Sequence, residues 1–133
     1  MNPTHKSIAS RRILVVDDNV DAADTIRMLL ELDGHEVCCA HDGQQAIAAA
    51  ADFHPDVALL DIGLPGMNGF ELARRLRADP SMRHALLVAL TGYGELDERE
   101  PLMAGFDHHL AKPVEPAALT AAIGMRVPAS PRM

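Results

Sequence analysis

Five side chains that can do chemistry follow short apolar runs in the sequence: Asp17, Asp18, Asp61, Thr91 and Lys112. Carboxylate oxygens without histidine or cysteine suit Mg²⁺, which typically takes only one or two protein carboxylates beside a phosphate group. A carboxylate can attack phosphorus to give an acyl phosphate, while a metal, an ammonium and a hydroxyl neutralise the oxygens of the transferring group. If these side chains meet in space, they predict phosphoryl capture by an aspartate.

The position of Asp61 suggests where such a meeting would occur. The run at 57–60 has the length and branching of a strand buried on both faces, and Gly63 and Pro65 mark the loop after it. Ligand sites form at the carboxyl edge of open parallel sheets, because loops and helix starts surround a crevice there. An ordinary aspartate that caps a turn gives the same local pattern, so the remaining strands have to decide.

The rest of the chain alternates strands with helices. Strands are predicted at 13–16, 36–40, 57–60, 85–90 and 106–111. Helices are predicted after the N-caps Asn19, Asp42 and Asn68 and from Pro116. Short loops and right-handed crossovers then imply a parallel sheet between two helix layers, which is a three-layer α/β fold.

Two details of the helices are also predicted. A short helix should begin at about residues 97–100, because Pro101 costs little in a first turn but roughly 3 kcal/mol in a helix interior. The arginines of the helix that follows Asn68 are expected on its solvent-facing side.

If the first and third strands are neighbours, their three carboxylates share one crevice. Each pair of like charges at about 4 Å then costs on the order of 4 kcal/mol at an effective dielectric constant of 20. Positive charge must therefore lie among Asp17, Asp18 and Asp61, and Lys112 and Mg²⁺ are the candidates.

Composition indicates one compact domain. The chain has 133 residues, of which 48% are hydrophobic, and a net charge of −7, so direct binding to nucleic acid is not expected. No apolar run approaches the roughly 20 residues that span a bilayer, and the N-terminus lacks the apolar centre of a secretion signal. We expect a cytoplasmic domain at 11–125 without membrane contact, flanked by flexible tails at 1–10 and 126–133.

Cysteine and histidine do not form a recognisable metal-site pattern. Cys38 and Cys39 are adjacent in a predicted strand, where neighbouring side chains point to opposite faces, so a disulfide between them is not expected. The seven histidines are scattered, except for His108 and His109, which should diverge in a strand. Most of the histidines are expected to be solvated.

Four motifs occur in a fixed order from residue 12 to about residue 124. They are VVDD ending at Asp18, LLDIGLPGMNG around Asp61, LTG containing Thr91 and HLAKP containing Lys112. Each motif is weak by itself, but the set is specific. With these motifs the chain resembles the receiver domains of bacterial two-component response regulators. The resemblance implies a flavodoxin-like (βα)5 fold with strand order 2-1-3-4-5.

The resemblance also implies roles for the residues around Asp61. Asp61 would be the phosphoacceptor, and the donor would be a phosphohistidine on a sensor histidine kinase or a histidine phosphotransfer protein. Asp18, Asp61 and the backbone carbonyl of Gly63 would bind Mg²⁺ directly, and Asp17 would act through a metal-bound water. Thr91 would bond a phosphoryl oxygen and shift on phosphorylation.

Three further positions are implied by the resemblance or depart from it. Lys112 would pair with a phosphoryl oxygen, and its peptide bond to Pro113 would be cis. His109 stands where receivers usually carry a Tyr or Phe that rotates as a switch on the output face. Tyr93, two residues after Thr91, stands where many relatives carry a small or charged group that touches the attacking water, which affects dephosphorylation.

Two other functional classes are also compatible with parts of this sequence. A metal-dependent phosphohydrolase could also use Asp61 as its nucleophile, but it would want a second acid at the position of Gly63. A nucleotide- or flavin-binding domain would need a glycine-rich loop after the first strand, where Asp17 and Asp18 stand.

As a receiver, the chain would catalyse only its own phosphotransfer and dephosphorylation. It would signal by binding a downstream effector protein or by passing the phosphoryl group to another histidine. Stand-alone regulators, relay intermediates and receivers of hybrid histidine kinases all fit the sequence. Its HLAKPV ending is most similar to the hybrid-kinase receivers.

Overall fold

The computed structural model describes residues 10–92 and 105–124 and contains one five-stranded parallel sheet. Its strands are β1 (Arg12–Val16), β2 (Glu36–Ala40), β3 (Val57–Asp61), β4 (Leu86–Thr91) and β5 (His108–Ala111). They lie in the order β2-β1-β3-β4-β5, and every neighbouring pair is parallel. The strand order implied by the family resemblance is confirmed.

Four described helices cover the two faces of the sheet. They are α1 (Val20–Leu32), α2 (Gly43–Phe53), α3 (Gly69–Ala78) and α4 (Pro116–Ile123), with a short 3-10 turn at Pro80–Met82 after α3. The side chains of Asn19, Asp42 and Asn68 each accept a hydrogen bond from the backbone N–H three residues later, so the predicted N-caps are confirmed. The helix predicted from residues 97–100 lies outside the described residues, as do 1–9 and 125–133.

Side chains of the sheet alternate between two apolar cores. Leu14 and Leu60 lie in the core under α2 and α3, whereas Val15 and Leu59 lie in the core under α1 and α4. Every residue of β3 and β4 is buried, and each large aliphatic side chain removed from water contributes roughly 1.5–3 kcal/mol. The two central strands thus form a rigid base for the residues at their carboxyl ends.

Strand boundaries differ from the predictions by one or two residues. Asp61 and Thr91 are themselves the last residues of β3 and β4 rather than the first residues after them. Strand β5 begins at His108 instead of Phe106, and Phe106 precedes it, buried in a core with its ring edge-on to that of Phe70. The cysteines point to the two opposite cores, as expected for neighbours in a strand, and burial raises the pKa of the Cys39 thiol.

Arg77 closes the amino edge of the sheet, which corrects the expectation that the arginines of α3 all face solvent. Its guanidinium donates to the carbonyl oxygens of Ala85 at 2.9 Å and Gly105 at 2.8 Å, and to Asp107 Oδ2 at 2.9 Å. The same Asp107 oxygen accepts the N–H of Leu87 at 2.9 Å. A planar guanidinium can serve several acceptors at once, so Arg77 joins α3 to β4 and β5.

His35 is buried at the same edge, so it is not among the solvated histidines that the sequence suggested. Its Nδ1 accepts a hydrogen bond from the backbone N–H of Arg11 at 3.0 Å, and only 7% of the residue is exposed. An Nδ1 that accepts carries no proton, so the neutral ring holds its proton on Nε2. Burial lowers the pKa of His35, and the attraction of Asp33 only partly offsets this.

Within residues 10–92 and 105–124, no helix has both the length and the apolar character needed to cross a membrane.

Candidate functional site

The three aspartates meet at the carboxyl edge because β1 and β3 are neighbours. Val16 is paired with Leu60, so the residues that follow them, Asp17 and Asp61, emerge side by side. One carboxylate oxygen from each of Asp17, Asp18 and Asp61 can be chosen so that all three lie within 4.8 Å of one another. The crevice predicted from the sequence is therefore present.

Asp17 is buried with part of its carboxylate unsatisfied. Only 1% of the residue is exposed, and Oδ1 accepts the backbone N–H of Asn19 at 2.9 Å. Oδ2 is buried and receives no hydrogen bond from any of the described residues, although the Lys112 ammonium lies 3.2 Å away at ion-pair distance. Burial raises the pKa of Asp17, and its contacts with Asn19 and Lys112 only partly offset that effect.

Asp61 is held at both of its carboxylate oxygens. Oδ1 accepts the backbone N–H of Gly63 at 2.9 Å, and Oδ2 lies 3.2 Å from the Lys112 ammonium. The residue is 4% exposed, whereas Asp18 is exposed beside it. The carboxylate is thus fixed in orientation at the mouth of the crevice.

Lys112 reaches the aspartates from the end of β5. Its backbone N–H donates to the Thr91 carbonyl at 2.8 Å, and its peptide bond to Pro113 is cis. Burial by itself lowers the pKa of Lys112, but the carboxylates of Asp61 and Asp17 outweigh it and the pKa is raised. Lys112 therefore remains a cation between two acids.

Thr91 ends β4, the neighbour of β3 on the side away from β1. Asp61 is paired with Leu90, so Thr91 lies one residue beyond Asp61 along the same edge. Its hydroxyl is buried and donates to the Leu110 carbonyl at 3.4 Å, which is a long hydrogen bond. A hydroxyl held this weakly can turn toward a stronger acceptor at low cost.

The composition of the site fits a hard divalent cation. Asp17, Asp18 and Asp61 supply oxygen donors close together, and Lys112 lies beside two of them. These four side chains carry a formal excess of two negative charges when all are ionised (3 − 1). No residue in the described ranges donates a hydrogen bond to the buried Asp17 Oδ2, so this oxygen can still accept one. Oxygen donors without sulfur or imidazole nitrogen are the set that Mg²⁺ prefers.

His41 supports the site and was missed by the sequence analysis, which placed it among the scattered histidines. Its Nδ1 lies 3.0 Å from the backbone carbonyl of Asp17. Because a carbonyl can only accept, His41 must donate from a protonated Nδ1. The available signal was topological: His41 directly follows β2, the neighbour of β1, and the Asp17 N–H donates to Ala40 beside it.

Two predicted residues are not part of this cluster. His109 is exposed on β5. Its ring centroid lies 6.0 Å from that of His108, so the two rings lie close together, contrary to the prediction that they diverge. Side chains on an edge strand can lean along the strand, which brings neighbouring rings closer. Tyr93 lies outside the described residues.

A cavity of about 250 Å³ adjoins the acids between α1 and the start of α4. Asp17 and Lys112 line its polar end, and Ile26, Leu29 and Leu119 are among its apolar walls. The site is therefore reached along a mostly apolar surface.

Comparison with known proteins gives a consistent result. Residues 13–124 match the family model described as the response regulator receiver domain. The chain is 38% identical over 117 residues to the DNA-binding response regulator MtrA of Mycolicibacterium paratuberculosis, covering 88% of this chain and 51% of that protein. It thus spans about half the length of the first curated relatives it matches.

Two solved structures share this fold, and both have about the same sequence identity to this chain. The chemotaxis response regulator CheY4 of Vibrio cholerae superposes with a TM-score of 0.80 at 26% identity, covering 86% of this chain and 97% of that one. The signal receiver domain of a histidine kinase from Syntrophus aciditrophicus gives a TM-score of 0.80 at 25% identity, covering 93% and 95%.

Proposed function

The chain belongs to the response regulator receiver domain family of two-component signalling, and on that premise we propose that Asp61 is its phosphoacceptor. The donor is a phosphohistidine on a sensor histidine kinase or a histidine phosphotransfer protein. Receiver domains are signalling domains rather than enzymes with an outside substrate. The phosphoryl group on Asp61 is accordingly the signal itself.

The observation that carries the proposal is the setting of the Asp61 carboxylate. One oxygen is held by the Gly63 N–H and the other by Lys112, at the end of a strand whose residues are all buried. In the transfer, an electron pair on a carboxylate oxygen forms the new O–P bond. The P–N bond of the donor breaks, and its electron pair stays on the imidazole nitrogen. Lys112 keeps a positive charge beside the phosphoryl oxygens.

Asp18, Asp61 and the Gly63 carbonyl would hold Mg²⁺, with Asp17 acting through a water. Bound there, Mg²⁺ supplies positive charge to the phosphoryl oxygens. Asp17 and Asp18 would orient that charge toward Asp61.

Thr91 couples the acceptor to the output face. Its hydroxyl leaves the long bond to Leu110 and donates to a phosphoryl oxygen, which carries more charge than a carbonyl. Leu110 lies next to His109 on β5. Loss of the hydrogen bond from Thr91 to the Leu110 carbonyl therefore alters the contacts of the strand that carries His109. A downstream effector would detect this change. Tyr93, two residues after Thr91 in the sequence, is proposed to affect dephosphorylation.

The proposed receiver domain spans 11–125, with tails at 1–10 and 126–133. MtrA is described as DNA-binding, and this chain covers about half of it. For this chain, with its net charge of −7, we propose no direct binding to nucleic acid. A phosphohydrolase with Asp61 as nucleophile is less well supported, because Gly63 offers a backbone N–H where a second acid would be needed.

Incubation with acetyl phosphate and Mg²⁺ tests the assignment. The native protein should gain one phosphate that is lost in alkali, and chelation of Mg²⁺ should prevent the gain. Asp61→Asn should abolish labelling, whereas Asp52→Asn, which changes an exposed aspartate on α2, should not. Labelling that survives in Asp61→Asn would show that another residue is the acceptor.

A further inference from the structure

Helix α3 begins unusually close to the backbone of Asp61. A Cβ at residue 69 would lie 2.5 Å from Ile62 Cα and 2.7 Å from the Asp61 carbonyl oxygen. Both obstacles are backbone atoms, so neither can swing aside as the end of a side chain could. Only glycine allows the start of α3 to lie where it does.

Hydrogen bonds hold this contact in place. The Gly69 N–H donates to the Ile62 carbonyl at 3.2 Å, and the Ile62 N–H donates to the Leu90 carbonyl at 3.2 Å. The N-cap Asn68 accepts the Glu71 N–H at 3.0 Å and fixes the first turn of α3. The loop from Ile62 to Gly69 is therefore closed at its ends, directly beside the phosphoacceptor.

The same loop contains the group that orients the Asp61 carboxylate. Gly63 lies inside the closed loop, and its N–H holds Asp61 Oδ1 at 2.9 Å. If the ends of the loop separate, the Gly63 N–H and the Asp61 backbone move relative to each other. A misplacement of about 1 Å at a reacting group can reduce a rate about 100-fold.

We propose that Gly69 is a positioning residue for phosphoryl uptake, because its missing side chain lets α3 clamp the backbone of Asp61 and Ile62 and so orients the Asp61 carboxylate. The inference rests on the proposed role of Asp61 as phosphoacceptor. It concerns a residue that touches neither the phosphoryl group nor the metal in that proposal.

Gly66, in the same loop, provides a matched control. It has a φ of +78°, so a side chain there is strained, but a Cβ would meet no atom of residues 10–92 and 105–124 within 4 Å. Gly66→Ala therefore disturbs the fold through its own backbone, whereas Gly69→Ala pushes against Asp61. A general loss of stability affects both variants, and misplacement of Asp61 affects only Gly69→Ala.

The first measurement is the rate of phosphorylation by acetyl phosphate at a series of donor and Mg²⁺ concentrations. Gly69→Ala should lower the maximal rate about 100-fold. Gly66→Ala should stay within about threefold of the native rate under conditions where both variants are folded. Equal rates in the two variants would overturn the proposal.

A second measurement does not depend on phosphorylation. The Gly63 amide proton reports its bond to Asp61 through its NMR chemical shift and its temperature coefficient. Gly69→Ala should change both values more than Gly66→Ala does. If the native protein takes up no phosphate, the proposed function fails, and the amide comparison still decides whether Gly69 positions Asp61.

Asn68→Ala covers the case in which Gly69→Ala does not fold. This change removes an exposed cap without adding atoms, so the fold should survive with a looser first turn of α3. We expect a rate reduced about fivefold and a shifted Gly63 amide resonance. A native rate together with an unshifted resonance would overturn the proposal.

Discussion

The two edges of the sheet carry similar residues in opposite states of balance. At the amino edge, the Arg77 guanidinium and the Asp107 carboxylate form an ion pair with 2.9 Å between Nη2 and Oδ2, and each also bonds backbone groups. At the carboxyl edge, Lys112 lies between the carboxylates of Asp17 and Asp61, and Asp18 adds a third carboxylate to the cluster. None of the described residues donates a hydrogen bond to the buried Asp17 Oδ2. The balanced edge stabilises the fold, whereas the unbalanced edge keeps the capacity to bind a cation and a phosphoryl group.

This comparison predicts that removing a charge changes the free energy of unfolding in opposite directions at the two edges. Removing a charge from the amino edge should destabilise the protein and leave Asp61 chemistry intact in the folded fraction. Removing a negative charge from the carboxyl edge should stabilise the protein and impair function.

The largest effect on stability is expected from Arg77→Met. It leaves the Asp107 carboxylate without the Arg77 cation and removes the donor to the carbonyls of Ala85 and Gly105, at a cost of about 2–3 kcal/mol in the free energy of unfolding. Urea denaturation measures the loss. Arg77→Lys keeps the charge without the planar fork and should recover about half. A native-like stability for Arg77→Met would show that this edge contributes little.

The next effect has the opposite sign. Asp17→Asn should raise the free energy of unfolding by about 1–3 kcal/mol without Mg²⁺, because it removes a buried negative charge from a cluster of three carboxylates. Added Mg²⁺ should stabilise the native protein by about 2.7 kcal/mol at a hundred times its Kd and stabilise the variant less. If Asp17→Asn is destabilised without Mg²⁺, the acids are already balanced at this edge.

A smaller effect concerns pH at the amino edge. Because the pKa of His35 is lowered below its usual 6.5, the contribution of neutral His35 is complete above pH 6.5 and is lost as pH falls below it. A proton added to Nδ1 must break the bond from Arg11, which costs about 1 kcal/mol.

His35→Asn is the matched control for this titration, since its side-chain oxygen can accept the Arg11 N–H without titrating. The free energy of unfolding should decrease from pH 7.5 to pH 5.5 in both proteins. This decrease should be larger for the native protein than for His35→Asn. An equal decrease in both proteins would show that groups other than His35 cause the loss of stability in acid.

The smallest effect is expected at His109. A Tyr that moves inward gains apolar burial, whereas an imidazole gains less, so His109→Tyr should strengthen the effect of phosphorylation on partner affinity a few-fold. Partner binding with and without a phosphate mimic measures this coupling. Equal coupling in both proteins would leave His109 as part of an exposed binding surface.

The sequence predicted those features that depend on local pattern. The apolar runs located β1 and β3, and the caps Asn19 and Asn68 located the starts of α1 and α3. The strand order came from the family resemblance instead. The juxtaposition of Asp17 and Asp61 followed once parallel neighbours were assumed. These predictions succeeded because period and capping act within a few residues.

The contacts that the sequence did not reveal join residues far apart in the chain. Arg77 is one of three arginines on α3, and only its distance to Asp107, 30 residues later, shows that it is not a solvent-facing side chain. The donor role of His41 requires knowledge that β2 lies beside β1. The tight contact at Gly69 requires the path of α3 over the end of β3.

The strand order also has a consequence for the sequence of events during synthesis. β1 is made first but lies inside the sheet, and both of its partners, β2 and β3, emerge from the ribosome later. The three aspartates can meet as soon as β3 has docked, whereas Lys112 follows β5 and arrives last. An incomplete chain would therefore contain converging acids without their cation, and ions in the surrounding solution would screen their repulsion. The final strand thus completes both the sheet and the electrostatic neutralisation of the acids.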